Sequence, residues 1–240
     1  MTLNVKELVL YEDNHLLALN KPAGVLVQGD ATGDVSLFQL AKAYLKEKYH
    51  KPGNVYLGLV HRLDRVTSGV VVLARTSKAA SRLSKALREG QVEKFYLAVV
   101  HGTPPKRGRA EDFLRWDARK RKAYVSSSGK PATLEWLVLK SSSSQSLLLV
   151  KPLTGRKHQI RAQLAARGHP IVGDFKYGSR KKIAGGRGIL LHAWHLYLPH
   201  PTKKETIFLE APVPGHWPGI FSPPPGEFAS KKFAFGKNLD

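Results

Sequence analysis

The chain has 240 residues, 42% of them hydrophobic, and sets 39 Lys and Arg against 18 Asp and Glu for a formal charge of +21. That length and apolar content allow a packed core, no apolar run approaches the roughly 20 residues of a membrane-spanning helix, and zero cysteines exclude disulfides, thiolate metal sites and a cysteine nucleophile. So one-sided a charge points to a polyanion as partner, RNA first, and no basic helix with a bulky apolar face stands out to favour a membrane surface. Met1 to Leu8 lacks a signal-peptide pattern, so a cytoplasmic protein is expected.

In chain order, Lys6 to Tyr11 and His15 to Leu19 read as a hairpin turning at Asp13-Asn14. Ser36 to Tyr49 reads as a helix, with Leu37, Leu40, Ala41, Tyr44 and Leu45 on one face and Asp34 or Ser36 as cap. Val55 to Val60 and Val70 to Ala74 are short apolar runs of buried-strand type. A second helix is expected from a Ser77 cap to about Glu89, stopped by Gly90, then a strand over Lys94 to Val100 with Tyr96 opposite Phe95, Leu97 and Val99. Residues 103 to 132 are polar, basic and poorly periodic; Trp116 and Tyr124 stand among the charges, where bases could stack, or the run is a solvated insertion.

Further on, Thr133 to Lys140 and Ser146 to Lys151 read as a hairpin across four serines. Thr154 is expected to cap a helix reaching Arg167, with Arg156, Lys157 and His158 in its positive first turn, a ready phosphate site. Ile160 and Leu164 would face the core and Arg161 an edge. Lys176 to Arg187 reads as a basic glycine-rich loop, Leu190 to Leu198 and Glu205 to Ala211 as the last strands, and residues 223 to 240 as a flexible basic tail after a catalytic domain over 1–222. His192 and His195 would point to opposite faces of their strand, and with His200 they lack a completing ligand, so no metal is expected. Many strands with two or three helices imply an α+β fold, a mixed, mainly antiparallel central sheet with flanking helices.

Between the two central apolar runs stands His61-Arg62-Leu63-Asp64-Arg65-Val66-Thr67-Ser68-Gly69. It sets one carboxylate between two arginines on a loop between strands, a common position for catalytic groups. Arg62 and Arg65 would keep Asp64 ionised, as a covalent or electrostatic catalyst requires; a structural ion pair closing the loop is the alternative.

This loop resembles the signature of the RluA family of RNA pseudouridine synthases, and the resemblance extends to Asn20-Lys21-Pro22-Ala23-Gly24, to Lys94 through Gly102, to Thr154 through Arg161, to Gly168 through Asp174 and to Leu191-His192-Ala193. It implies conversion of a uridine in ribosomal or transfer RNA to pseudouridine, without cofactor, on a base flipped out of its stack. It implies Asp64 as the essential carboxylate, attacking ribose C1′ or uracil C6 or removing a ribose proton, Arg161 as its partner, Tyr96 stacked on the uracil, and Arg62 in the space the base leaves. His61, Arg65, Thr67, Arg156 and His158 are expected to bind the RNA. Many relatives carry an S4-type RNA-binding domain in front, for which this sequence leaves no room, and a stand-alone monomer is expected. A nucleic-acid glycosylase would want a second motif carboxylate, which is not seen. A non-catalytic RNA-binding or ribosome-assembly protein is the other alternative.

Overall fold

The computed structural model describes residues 3–221, which fall into two compact units; the tail expected over 223–240 lies outside the described residues. Among the described residues the first unit comprises 3–94 and His192–Pro214, and the second Phe95–Leu191 and 215–221.

In the first unit a 3-10 turn over Val5–Leu8 takes the place of the first half of the expected opening strand, because Asn4 accepts from the Lys6 amide and starts a turn. Strands β1 (Val9–Glu12) and β2 (Leu16–Lys21) then form the hairpin, tightened by Asp13, which accepts from the His15 and Leu16 amides. Helix α1 (Leu37–Lys48) starts at Ser36, whose hydroxyl takes the Gln39 amide while the Gln39 side chain returns to Ser36, a reciprocal capping box. Of the run 55–60 only β3 (Gly58–Leu59) is strand; β4 (Ser68–Ala74) is buried along its length and takes Ser68 and Gly69 from the expected loop. Helix α2 (Ser77–Arg88) is capped by Thr76, one residue earlier than expected.

Two late strands, β10 (Leu191–Pro199) and β11 (Thr206–Glu210), complete this sheet in the order β1-β2-β4-β10-β11, with β3 also on β4. Every pairing is antiparallel except β4 with β10, which runs parallel through His192 opposite Ser68 and Ala193 opposite Gly69. Leu16, Val70, Val72, Leu83, Leu196, Leu198, Ile207 and Leu209 pack into one core beneath α2. Each such side chain contributes about 1.5–3 kcal/mol by leaving water.

The second unit is an antiparallel sheet of β5 (Glu93–His101), β6 (Arg107–Asp117), β7 (Lys122–Ser126), β8 (Lys130–Ser141) and β9 (Gln145–Pro152), in the order β5-β9-β8-β6-β7. The serine-rich hairpin is present; residues 103–132, read as polar and poorly periodic, contain the long strand β6, the short strand β7 and the start of β8. Helix α3 (Gln159–Ala166) covers Leu114, Ala123 and Ala132 of this sheet. It begins later than expected: Thr154 and the Arg156 amide both bond to the Gln159 side chain, and His158, in the left-handed region at φ 56°, is the residue that enters the helix. Arg156 and Lys157 therefore precede the helix. Among the described residues no helix is long and apolar enough to cross a membrane.

Candidate active site

Asp64 lies half-buried on the turn between β3 and β4, its carbonyl accepting the Thr67 amide at 3.0 Å. Arg65, expected to flank it electrostatically, is turned to other work: its Nε donates to the Gly24 carbonyl at 3.0 Å and its guanidinium pairs with Asp34 at 2.7 Å. Arg62 is exposed.

The cation that belongs to this loop by burial is Lys21, at the end of β2. It is wholly buried, and its Nζ donates to the carbonyls of Pro22 at 2.9 Å, Val25 at 2.8 Å and Arg65 at 3.1 Å. The three carbonyls use all the hydrogens of an ammonium and tie the segment after β2 to the Asp64 loop. Burial brings the Lys21 pKa down to about 7, while the Asp64 carboxylate acts in the opposite direction and favours the charged form. The Gly24 amide adds a further tie to the Arg65 carbonyl at 2.8 Å. Sequence reasoning placed Lys21 in a motif without giving it a role; a lysine followed by proline carries no periodic sign of burial.

Two histidines brace the ends of the loop. His61 Nε2 accepts the Val72 amide at 3.0 Å. Its ring adjoins a small apolar cavity lined by Val60, Val72, Leu83, Leu196 and Leu198, and burial, with a smaller effect of Lys94, brings its pKa to about 4. His61 is thus a neutral prop rather than a cation held out to phosphate. At the other end, His192 Nε2 donates to the Ala211 carbonyl at 3.0 Å, so its Nδ1 accepts the Ser68 hydroxyl at 2.8 Å. Gly69 follows at φ +115°, against the backbone of Ala193. The Thr67 hydroxyl is buried without a hydrogen-bond partner in the structure.

In the second unit Tyr96 sits half-buried on β5, opposite Val150, with Phe95 and Leu97 buried on the other side as expected. Arg161 is not at an edge: it is 5% exposed, because Asp174, 13 residues on, takes its guanidinium in a two-pronged pair, Nε to Oδ2 at 2.7 Å and Nη2 to Oδ1 at 2.9 Å. Its Cζ also lies 5.0 Å from the centre of the Tyr177 ring. The Tyr177 hydroxyl meets both the amide and the carbonyl of Ala123, at 2.9 and 3.0 Å, and His158 Nδ1 at 2.9 Å. Arg156 is half-buried and donates to the Pro131 carbonyl at 2.8 Å. Trp116 is half-buried and already covered, by the Lys157 ammonium at 3.6 Å and by the edge of His158. Periodicity could not have found the Asp174 and Tyr177 clamp, since both side chains lie beyond the helix that carries Arg161.

Residues 15–166 match the family model described as RNA pseudouridylate synthase. The chain belongs to that family. The RNA pseudouridine synthase reading drawn from the Asp64 motif therefore stands at the level of family and enzyme class. The chain is 34% identical over 220 residues to ribosomal large subunit pseudouridine synthase C of Buchnera aphidicola subsp. Acyrthosiphon pisum, covering 88% of this chain and 68% of that one. It is 35% identical over 212 residues to the dual-specificity RNA pseudouridine synthase RluA of Escherichia coli O6:H1, covering 85% and 92%. Among solved structures it resembles human RNA pseudouridylate synthase domain containing 4, with a TM-score of 0.73 at 27% identity over 88% of this chain and 90% of that one. The α+β assignment, with its mixed and mainly antiparallel strands, agrees with that likeness.

Proposed function

We propose that this synthase acts on a uridine of ribosomal RNA, with Asp64 as the carboxylate on which cleavage of the glycosidic bond depends. The observation that carries the reading is the Asp64 loop itself, tied to β2 by a buried ammonium with three carbonyl partners and braced at its ends by His61 and His192. A loop held this way fixes the backbone from which the carboxylate projects before substrate arrives, and catalysis gains from such orientation. The choice of ribosomal RNA follows the names of the relatives matched over most of this chain.

The target uridine leaves its stack, since its glycosidic bond is otherwise out of reach. The bond from N1 to C1′ breaks, the uracil turns, and a bond from C5 to C1′ forms. C5 gives up its hydrogen as a proton and N1 gains one, so atoms balance with no redox partner. Tyr96 and Arg161 take the roles the family resemblance gives them, stacking on the uracil and supporting the carboxylate. The basic surface supplies the phosphate contacts, whose affinity falls with salt.

The test is release of tritium from C5-labelled uridine in ribosomal and transfer RNA transcripts offered separately, with Asp64→Asn as control. Release from ribosomal RNA that vanishes in the variant is the expected result. Release from transfer RNA alone overturns the substrate, residual activity within tenfold of wild type overturns the role of Asp64, and free uracil among the products means a glycosylase.

A further inference from the structure

The strand pair β6 and β7 turns one face to α3 and the other to solvent, and the solvent face has a composition that folding does not require. Register puts Arg115 opposite Tyr124 and Phe113 opposite Ser126, so Phe113, Arg115 and Tyr124 share one face. Leu114 and Ala123 take the other, packed with Ala162 and Tyr177. On the outward face Phe113 is 49% exposed and Tyr124 40%, among the few large apolar or aromatic side chains left so open. They are diagonal neighbours, about 7–8 Å apart by sheet geometry. Arg115 stands between them, exposed and without an ion pair among the described residues.

The acids nearby are all engaged. Glu111 and Glu135 pair with Arg109, at 2.6 and 3.1 Å. The Asp117 carboxylate accepts the Lys120 amide at 2.9 Å and closes the β6–β7 turn. That turn carries exposed Arg119, Lys120 and Arg121, and Lys176 Nζ fixes its backbone by donating to the carbonyls of Lys120 and Arg121. The face therefore combines two open rings with a cation between them and a held basic turn at one end.

We propose that this face is a stacking platform for single-stranded RNA flanking the target uridine, with one base on Phe113, one on Tyr124, and the intervening phosphate at Arg115. Exposed aromatics on a sheet, interleaved with cations, are the physical means by which a protein takes unpaired bases without demanding a sequence. Duplex RNA hides its base faces and has nothing to offer these rings. Trp116, singled out with Tyr124 in the sequence, belongs to the other face and is covered by Lys157, so it is not part of the platform. The proposal rests on the RNA-modifying reading and adds to it a place where the substrate strand outside the reacting nucleotide is held.

The test is fluorescence anisotropy with a labelled twelve-nucleotide oligouridylate and, separately, a labelled RNA duplex of the same length, using Phe113→Ala, Tyr124→Ala, the double variant, Tyr124→Phe and Tyr124→Leu. Both positions are exposed, and thermal melts that coincide with wild type exclude a folding effect. Each alanine variant should weaken single-strand binding between about fivefold and a hundredfold, with duplex binding within twofold of wild type. Tyr124→Phe should bind like wild type and Tyr124→Leu like the alanine variant, since the ring face and not its apolar area is what counts. Arg115→Ala should lower the slope of log affinity against log salt by about one, while the aromatic variants leave it unchanged.

A double variant that binds the oligonucleotide within twofold of wild type overturns the platform, as does an equal loss on duplex. A concentration-dependent dimer of the wild type that the double variant abolishes also overturns it, in favour of a second copy as occupant. Tritium release by the same wild-type preparation is scored independently. If that release is absent while the stacking losses appear, the isomerase reading fails and the platform stands; if it is present with no stacking loss, only the platform fails.

Discussion

Gly69→Ala is the substitution that most directly tests how the Asp64 loop is anchored. Gly69 has φ +115° where β4 first pairs with β10, and a Cβ added there would stand 2.6 Å from the Ala193 nitrogen and 2.7 Å from its carbonyl carbon. Backbone cannot rotate aside as a side chain can, so the two strands must part. The conformation alone costs about 1–3 kcal/mol for a residue with a side chain, and forcing an extra methyl into packed structure adds about 1–3 kcal/mol. Gly90→Ala is the matched control: φ is +72°, with open space around the added carbon, so only the conformational part applies. For a chain of this size, 1 kcal/mol shifts Tm by about 2–4 °C. Gly69→Ala should thus melt about 2–12 °C below Gly90→Ala in a circular-dichroism scan, and at 20 °C its folded fraction should release tritium more slowly than wild type. If the two variants melt within 1 °C of each other, the contact with Ala193 does not constrain the strand as described.

Two further outcomes follow from the ion pairs. Asp174→Asn removes the charge of the two-pronged pair that holds the 5%-exposed Arg161 guanidinium and should cost about 3–5 kcal/mol in urea unfolding; a loss under 1 kcal/mol would show that Arg161 is not held as drawn. For Asp13, burial acts to raise the carboxyl pKa, but hydrogen bonds from His200, the His15 and Leu16 amides and Tyr11 outweigh it and bring it to about 2. A folded-state value below the unfolded one means the stabilisation is complete above about pH 4 and is lost as pH falls toward 2. Asp13→Asn should flatten the stability curve across that interval, and an unchanged acid limb would refute the assignment.

The parts of this molecule that the sequence announced are those whose signals are local. The α1 face and its cap at Asp34 or Ser36, the serine-rich hairpin and the Asp64 motif could each be read within a dozen residues. What escaped depends on distant partners. Along β6 only Ala110 and Leu114 are buried, four residues apart, so its period-two alternation is hidden beneath a polar, aromatic outer face. The start of α3 was misplaced because Thr154 binds the Gln159 side chain in imitation of a cap. Arg161 looked like an edge residue until Asp174 supplied the counter-charge that allows its burial. Lys21 and the bond between Ser68 and His192 unite residues 44 and 124 positions apart, beyond the reach of any window.

That last separation bears on when the enzyme can exist at all. The loop with Asp64 is set by a strand that begins at residue 191, so the β4–β10 pairing must close one of the longest loops in the chain. At about 5–20 residues per second of synthesis, the ribosome needs roughly 6–25 s to make the stretch from Ser68 to His192. Throughout that interval β4 waits with its parallel neighbour unmade, while β5 to β9 and α3 emerge and can pair among themselves. The Asp64 loop is thus completed only once β10 has been made, and a nascent chain halted before His192 carries Asp64 on a loop that has not yet been fixed.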